Sequence, residues 1–324
     1  MRIAQVSPQH QSISARSYSG TERAVHYLTE ALVALGHDVT MVSGGNSVTS
    51  ARLADFDVVH FHIDDFHFPL RRHRSLPAVT TLHGRLDVPD VVAVYQALDD
   101  TPVVSVSDAQ RAQLPWAHWC GTVPYGLPSG LLRPGAGAGR YLAFLGRISP
   151  ETRVDRAIDI AHRSGRRLRI AATVAAGDRP YFEREIRPLF DDPLVQFIGE
   201  IGDADREAFL GAAQAVLFPT DCREPFGLVL IEAMACGTPS IACDAGSVPE
   251  IITDGVTGFI VHTIDDAVEA VHNIDSIFRE VCRREFNRRF TAGRMAADYV
   301  EIYQQIARQS RESNPSARTA SHAS

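Results

Sequence analysis

The chain has 324 residues, of which 45% are hydrophobic and 22% charged, and its formal net charge is -7 at pH 7. This length suits two domains of a soluble globular protein, and the negative charge gives no reason to expect nucleic acid as the main partner. No apolar run approaches the ~20 residues that cross a bilayer, and the first residues lack a signal-peptide pattern. Five scattered cysteines without a C-x-x-C pair indicate reduced thiols, so the composition predicts a cytoplasmic protein.

The first part of the chain alternates short apolar strands with helical or loop segments. A strand at residues 2–7 precedes a polar loop, and a helical period then continues to Gly36. Strands that alternate with helices indicate a mostly parallel sheet covered on both faces. Further strands are predicted at Val39–Val42, Val58–His62, Ala78–His83 and Val103–Ser107.

The same alternation restarts after residues 127–140, which are rich in Gly and Pro and are predicted to be an interdomain linker. Helices are predicted at Val154–Arg163 and Asp203–Ala212, and the section Ala267–Arg308 is largely helical by pattern. The predicted fold class is therefore α/β, with two doubly wound, Rossmann-like domains that face each other across a cleft. Strands are predicted at Tyr141–Leu145, Leu168–Ala172, Val195–Ile198, Ala215–Phe218 and Ser240–Cys243.

The predicted domain boundaries follow from this pattern. Residues 1–130 form the first domain and residues 131–290 the second. A C-terminal helix at 291–308 crosses back to the first domain. Residues 309–324, which are polar and repetitive in Ser, Arg and Ala, are predicted to be a disordered tail.

One carboxylate lies in an apolar run near the end of the second domain. From Phe226 to Cys236 the only polar side chain is Glu232, and an unpartnered buried charge costs several kcal/mol, so a ligand is its expected partner. A second acid, Glu224, stands eight residues earlier, just before a helix for which Pro225 suits the first turn. Free backbone N–H groups at a helix N-terminus attract phosphate, while two acids suit sugar or ribose hydroxyls. The segment therefore predicts a nucleotide-sugar site.

Several segments resemble motifs of the family-4 retaining glycosyltransferases, which have the GT-B fold. The pair Glu224 and Glu232 resembles the E-x7-E motif of that family, and four further regions agree with it in order. These regions are Ser19–Arg23 (the glycine-rich loop, with Ser19 in place of the commoner glycine), Thr81–Gly84 (the histidine motif), Phe144–Glu151 (first strand and loop of the second domain), and Ala245–Glu250 with Asp254–Phe259 (the segments that follow E-x7-E).

The resemblance implies roles for the acids and amides of the second domain. Glu232 would bind the ribose hydroxyls of the donor. Glu224 would hold the donor-sugar hydroxyls, and the backbone amides of Phe226, Gly227 and Leu228 would hold the distal phosphate. The donor is a nucleotide sugar, with a UDP-hexose as the first candidate. The acceptor, a glycan, lipid or small molecule, stays open.

The resemblance also implies contacts for the cations and for two residues of the first domain. Arg147 would contact the diphosphate, because a planar guanidinium matches phosphate oxygens. Gly20 would allow the backbone to approach the phosphate, and His83 would contact the donor sugar or the leaving phosphate. Transfer would proceed with retention at the anomeric carbon, with no metal and no cofactor.

One residue departs from the pattern of the family. A lysine usually follows the Pro-Glu pair of this loop, whereas this chain has Thr152 and then Arg153. Arg153 is the candidate for the second positive charge on the leaving group. Thr152 keeps open a non-catalytic nucleotide-sugar-binding relative. A GT-B-type sugar-nucleotide epimerase also stays open, because that class uses two such domains.

Three other clusters in the first domain have simpler explanations. His60 and His62 share one strand face with a candidate metal ligand, His67, nearby, and a wet strand-end face is the interpretation we favour. The pair Asp64-Asp65 is not predicted to bind a metal. The basic run at residues 71–74 could touch an anionic membrane or an acceptor, although a solvated loop explains it as well.

Overall fold

The computed structural model divides into two units by its internal contacts. Unit 1 comprises Met1–Pro128 and the segment that begins at Ala292, and unit 2 comprises Ser129–Thr291. The structure describes residues 1–7, 20–42, 55–63, 77–97 and 99–313. Ser19, Asp64, Asp65, His67 and residues 71–74, which the sequence singled out, lie outside these ranges.

Unit 1 is built on a parallel sheet. Its central strands are nearly continuous apolar runs, such as Val58-Val59 and Ala78-Val79, and these side chains are buried as a sheet covered on both faces requires. Within the described residues its six strands are β1 (Arg2–Val6), β2 (Asp38–Val42), β3 (Val58–Phe61), β4 (Ala78–Thr81), β5 (Val103–Ser105) and β6 (Trp119–Thr122). They pair in the order β2-β1-β3-β4-β5-β6, so the winding direction reverses between β1 and β3.

In the described part of unit 1, three helices lie between these strands: α1 (Gly20–Ala34), α2 (Pro89–Ala97) and α3 (Asp108–Arg111). The hydroxyl of Ser107 accepts a hydrogen bond from the backbone N–H of Gln110, which fixes the start of α3. Neither α2 nor β6 was predicted, because their short apolar runs carry weak periodicity.

Unit 2 repeats the architecture with a different strand order. Within the described residues its strands are β7 (Tyr141–Arg147), β8 (Arg167–Thr173), β9 (Val195–Gly199), β10 (Ala215–Phe218), β11 (Ser240–Cys243) and β12 (Gly258–Val261). All pairs are parallel, and the order is β12-β11-β10-β7-β8-β9. The predicted pair of doubly wound parallel α/β units is confirmed.

The helices of unit 2 cover both faces of this sheet. They are α4 (Val154–Ser164), α5 (Asp203–Ala212), α6 (Leu228–Ala235), α7 (Val248–Ile251), α8 (Ile264–His272) and α9 (Arg279–Arg289). Short helical turns occupy residues 176–191 and Ile274–Ser276. Thr263 and Asp266 form a capping box at the start of α8, which satisfies backbone donors at both positions.

The last described helix, α10 (Ala292–Ser313), belongs to unit 1 and packs mainly against α1. It continues five residues beyond the predicted start of the tail at 309, so that part of the tail prediction is wrong. The helical run persists because residues 309–313 contain neither Gly nor Pro. None of the helices described has the length and apolar character that crossing a bilayer requires.

The segment predicted as a linker packs tightly within unit 2 from Ser129 onward. Two arginines of α9 donate to its backbone carbonyls, Arg279 to Gly135 at 2.8 Å and Arg283 to Ser129 at 2.6 Å. A Cβ on Gly135 would lie 2.2 Å from the carbonyl oxygen of Gly211. The glycine therefore serves a close backbone approach, and most of the predicted linker segment is packed as part of unit 2.

Candidate functional site

The strand order of unit 2 creates a crevice at the carboxyl ends of β7 and β10. Chain connections leave these two adjacent strands in opposite directions, and ligands of open α/β sheets bind at such a switch point. Arg147 ends β7, and Glu224 lies in the loop after β10. The hydroxyl of Thr220 donates to the carbonyl oxygen of Glu151 at 2.9 Å and joins the two loops. The fold thus places Arg147 and Glu224 on the two loops that border one crevice.

The guanidinium of Arg147 is half exposed and, among the described residues, lies near two acids. Its Nε lies 3.3 Å from Asp178 Oδ2, and its Nη2 lies 3.9 Å from Glu151 Oε2. Exposed pairs of this kind contribute little to stability. The guanidinium can therefore exchange these carboxylates for the oxygens of an anionic ligand at small cost.

Arg153, predicted to supply a second positive charge, is bound to two carboxylates. Its guanidinium donates to Asp155 Oδ2 at 2.9 Å and to Asp221 Oδ2 at 2.7 Å, and the hydrogen bond to Asp155 is the main cause that raises its pKa. Arg156 also pairs with Asp221, at 3.0 Å. The charge of Arg153 is thus already matched within unit 2.

Thr152, which occupies the place of the family's lysine, closes the loop after β7. Its hydroxyl donates to the carbonyl oxygen of Arg147 at 2.8 Å and accepts from the backbone N–H of Ser149 at 3.2 Å. A lysine ammonium has no acceptor for the Ser149 N–H. The substitution therefore exchanges a mobile cation for a loop-closing hydroxyl.

Helix α6 begins three residues later than the sequence predicted. Gly227, at φ −80° and ψ 80°, lies outside the helical region, so the first helical residue is Leu228 rather than Pro225. The N–H of Leu228 donates to the carbonyl oxygen of Phe226 at 3.1 Å, and a free amide at Leu228 was therefore a wrong prediction. The end of the helix matches the pattern, with Gly237 at φ +69° in the C′ position.

The backbone of Glu224 rests against the loop before α7. Ser247 donates its N–H to the Glu224 carbonyl oxygen at 3.2 Å. Gly246 has φ +54°, and a Cβ there would lie 2.5 Å from that same oxygen. Cys222 Sγ lies 3.8 Å from the Glu224 carboxylate. The segment Ala245–Glu250 therefore braces Glu224, a role that its sequence alone did not reveal.

Glu232 is 1% exposed and has a partner within unit 2. Nη1 of Arg206, on α5, lies 2.9 and 3.0 Å from its two carboxylate oxygens. The sequence predicted a partner for this charge and favoured a ligand, and the structure provides Arg206 as a partner within the protein. Arg206 was not singled out because its helix begins with two other charged residues, Asp203 and Asp205, among which one arginine gives no signal.

His83 of unit 1 is enclosed by two hydrogen bonds. Its Nδ1 lies 2.6 Å from the hydroxyl of Tyr125, and its Nε2 lies 3.0 Å from Nδ1 of His62. Desolvation lowers the pKa of His83 to about 3. The ring is therefore neutral at physiological pH, and both of its nitrogens are engaged. Gly20, the other candidate in this unit, is the first residue of α1.

The prediction of a wet strand-end face for His60 and His62 is wrong. They are 0% and 3% exposed: Tyr299 and Tyr303 of α10 lie against the ring of His60, and His62 is hydrogen-bonded to Gln5 and His83. The two rings lie 4.0 Å apart between centroids. Among the described residues no group of three His, Cys, Asp or Glu side chains is placed to hold a metal ion.

Comparison with known proteins assigns a class to this architecture. The solved structure of sucrose-phosphate synthase from Thermosynechococcus elongatus matches 95% of this chain and 99% of its own, with a TM-score of 0.79 and 19% identity. The structure of Alr3699/HepE from Anabaena in complex with UDP-glucose matches 95% and 99%, with a TM-score of 0.68 and 17% identity. At these identities the likeness establishes the fold, which is the GT-B fold of glycosyltransferases.

The sequence comparisons relate the second unit to a known family. Residues 136–292 match the model of the family described as glycosyl transferases group 1. Alpha-maltose-1-phosphate synthase from Mycobacterium tuberculosis is 31% identical over 186 residues, which are 55% of this chain and 47% of the relative. The chain thus matches about half the length of that relative.

Proposed function

We propose that this protein is a cytoplasmic, retaining glycosyltransferase of family 4. It moves a hexose from a nucleotide sugar, a UDP-sugar in the first instance, to an acceptor hydroxyl without a metal. The observation that carries the proposal is the position of Arg147 and Glu224 at the carboxyl ends of the adjacent strands β7 and β10, the switch point of unit 2, inside the matched segment. The UDP-glucose complex of a protein with the same fold supports the choice of donor. The five free thiols suit a reducing compartment.

Arg147 and Glu224 hold the two halves of the donor in this proposal. The half-exposed guanidinium of Arg147 exchanges Asp178 and Glu151 for diphosphate oxygens, which offer charge-assisted, bidentate hydrogen bonds. Glu224 accepts hydrogen bonds from hydroxyls of the donor sugar. The backbone N–H groups of Phe226 and Gly227, which precede α6, are the candidate amides for the distal phosphate.

Glu232 binds the ribose while Arg206 keeps its charge balanced. An ionised carboxylate has about four lone-pair sites, so it can accept from ribose hydroxyls as well as from Arg206. In this arrangement Arg206 fixes the carboxylate and offsets the cost of its burial before the donor arrives.

The transfer step requires charge stabilisation on the leaving diphosphate. Arg147 stabilises that charge. Arg153, which is bound to Asp155 and Asp221, supplies the second positive charge. The acceptor hydroxyl attacks the anomeric carbon on the face from which the diphosphate leaves. The departing phosphate oxygen takes the hydroxyl proton. Gly20 and His83 are assigned contacts with the phosphate and the sugar.

Donor binding is tested with a thermal-shift panel of UDP-, GDP- and ADP-sugars. We expect one nucleotide to stabilise the wild type and Glu232→Gln to lose most of that shift. Glutamine is chosen because alanine would leave Arg206 unpaired. Glu207→Gln, on the neighbouring helix α5, is the matched control and keeps the shift. The proposal fails if no sugar nucleotide stabilises the wild type, or if both variants respond alike.

Transfer is tested by following nucleotide release with an acceptor panel of glycans, lipids and small alcohols. Glu224→Gln should lower the rate at least tenfold, and the product should keep the anomeric configuration of the donor. Deuterium that enters the sugar from heavy water without an acceptor would instead identify an epimerase. Inversion at the anomeric carbon would contradict the assigned mechanism.

A second candidate is a nucleotide-sugar-binding relative that does not turn over. It is favoured by Thr152, because this hydroxyl closes the loop where the related enzymes have a lysine. The two candidates differ in the response to Thr152→Lys. An inactive wild type that gains transfer in this variant would favour the binding protein, whereas an active wild type would exclude it.

A further inference from the structure

A continuous chain of hydrogen-bonded side chains runs through unit 1. It starts at Tyr125, crosses the carboxyl ends of three central strands and ends on α10. Every link between neighbouring members is 2.5–3.2 Å long. In order, its eight members are Tyr125, His83, His62, Gln5, Tyr303, His60, Thr81 and Tyr299.

Gln5 is the one member of this chain whose donor and acceptor ends are fixed. A hydroxyl or a neutral imidazole can reverse its role by moving one hydrogen, whereas an amide has separate oxygen and nitrogen ends. The contact between Gln5 and His62 Nε2 is 2.5 Å, which is short for a nitrogen pair and suits an oxygen. The opposite end, Gln5 Nε2, donates to Tyr303 at 3.2 Å.

This orientation determines the hydrogen positions as far as His83. Since Gln5 Oε1 accepts, His62 carries its hydrogen on Nε2 and presents a lone pair at Nδ1. His83 must then donate from Nε2 to that lone pair. The remaining nitrogen of His83, Nδ1, accepts from the hydroxyl of Tyr125. His83 is therefore a neutral Nε2–H tautomer whose lone pair is already used.

The other half of the chain follows in the same way. Tyr303 accepts from Gln5 and donates to His60 Nδ1 at 2.7 Å. His60 then carries its hydrogen on Nε2 and donates to the hydroxyl of Thr81, also at 2.7 Å. Thr81 in turn donates to the hydroxyl of Tyr299. All eight side chains are thus ordered by the one amide.

We infer that Gln5 is a positioning residue that sets His83 as a neutral Nε2–H donor, and that His83 does not act as a base. The inference rests on the proposed function, because the ligand it serves is the sugar nucleotide. A neutral N–H suits an oxygen acceptor, namely a sugar hydroxyl or a phosphate oxygen. In the free protein His62 accepts the Nε2 hydrogen of His83. The sugar nucleotide must therefore share or displace that hydrogen bond when it binds.

The lowered pKa values of the three histidines agree with this assignment. Desolvation lowers the pKa of His60 and His62 well below the ordinary range and that of His83 to about 3. Each histidine is therefore neutral and carries a single ring hydrogen. Each hydrogen bond of this chain requires one hydrogen, and a neutral imidazole carries the single hydrogen that its place in the chain requires.

The test is the tautomeric state of His83, read from nitrogen–proton correlation spectra of protein with ¹⁵N-labelled histidine rings. His83→Gln identifies the signals of His83 by their loss. We expect the Nε2–H pattern for His62 and His83 in the full-length protein. An Nδ1–H pattern or a protonated ring at His83 near pH 7 overturns the inference.

Two variants of Gln5 test its control over the chain. Gln5→Leu removes the fixed end, so His62 and His83 should show mixed tautomers, and transfer should fall roughly fivefold, the value of one neutral hydrogen bond. In Gln5→Glu, both oxygens of the new carboxylate accept hydrogen bonds. Tyr303 then donates to Glu rather than to His60, and His60 should change to the Nδ1–H form while His83 keeps its pattern.

The matched control is Tyr299→Phe, which removes one buried hydroxyl at the far end of the chain. It should leave the His83 pattern and the transfer rate unchanged. Unchanged His62 and His83 signals in folded Gln5→Leu, together with an unchanged His60 in Gln5→Glu, overturn the inference. A wild type with the expected tautomer but no transfer would refute the proposed function and leave the tautomer assignment standing.

Discussion

The two units bury polar groups of different chemistry. Unit 1 buries a chain of neutral side chains around His60 and His62, whereas unit 2 buries the charge of Glu232 against the partly buried guanidinium of Arg206. A neutral chain depends on where each hydrogen lies and is sensitive to protonation. A buried ion pair depends on both partners being present. The units should therefore respond to different perturbations.

Loss of Arg206 should give the largest effect, since it breaks the charged arrangement of unit 2. Arg206→Met leaves Glu232 buried without its partner, and we expect the free energy of unfolding to fall by about 3–5 kcal/mol. Urea unfolding followed by hydrogen exchange in unit 2 would measure it. Arg133→Met, which breaks the exposed pair with Glu207, should have no measurable effect. Equal losses in the two variants would contradict the comparison.

The next effect tests how Glu224 is braced. Gly246→Ala puts a Cβ 2.5 Å from the Glu224 carbonyl oxygen at φ +54°, and it should cost about 2–3 kcal/mol and reduce donor binding. Gly255 has φ +69° with no atom within 4 Å of its Cβ position. Gly255→Ala should therefore cost only the ~1 kcal/mol of backbone strain. Similar affinities for the sugar nucleotide in the two folded variants would contradict the role of Gly246 in bracing Glu224.

Acidification should weaken unit 1 selectively. The pKa values of the buried His60 and His62 and of the partly buried His83 are lowered from 6.5, so below pH 6.5 the unfolded state binds protons that the folded state does not. Stability therefore falls as the pH decreases from 6.5, by up to about 1.4 kcal/mol per pH unit for each histidine. Hydrogen exchange at pH 7 and pH 5 would measure the change in each unit. A profile that is flat in unit 1 would show that these histidines titrate normally.

The smallest effect concerns the loop after β7. Thr152→Val removes the hydroxyl that donates to the Arg147 carbonyl oxygen, and it should cost about 1 kcal/mol. Thr152→Ser keeps the hydroxyl and serves as the control. Thermal unfolding of both variants would show the difference. A valine variant as stable as the wild type would indicate that this bond contributes nothing.

Strand periodicity predicted the sheets well because buried parallel strands are continuous apolar runs, as at Val58-Val59. The start of α6 was predicted three residues early, since Pro225 suits a helix start but the backbone of Gly227 departs from it. At the site, Glu232 was recognisable because it interrupts an apolar run. Its partner Arg206 was not, because the pairing depends on tertiary contact between two helices.

The same limit explains the misinterpreted histidines. Gln5 interrupts an apolar strand just as Glu232 interrupts an apolar helix, so it carried a signal of the same kind. His60 and His62 were interpreted as wet because strand spacing gives their shared face and not what covers it. The cover comes from Tyr299 and Tyr303, more than 230 residues later in the chain. Only the folded arrangement supplies that information.

The most direct test of the central claim is calorimetric titration of UDP into the wild type, Arg147→Met and Glu232→Gln. If unit 2 holds a nucleotide sugar at its switch point, UDP should bind the wild type and lose at least tenfold in affinity in each variant. Each variant removes one charged contact to the ligand, which is worth about 1.5–3 kcal/mol. Equal UDP affinity in all three proteins, or no binding of UDP, GDP or ADP to the wild type, would contradict the account.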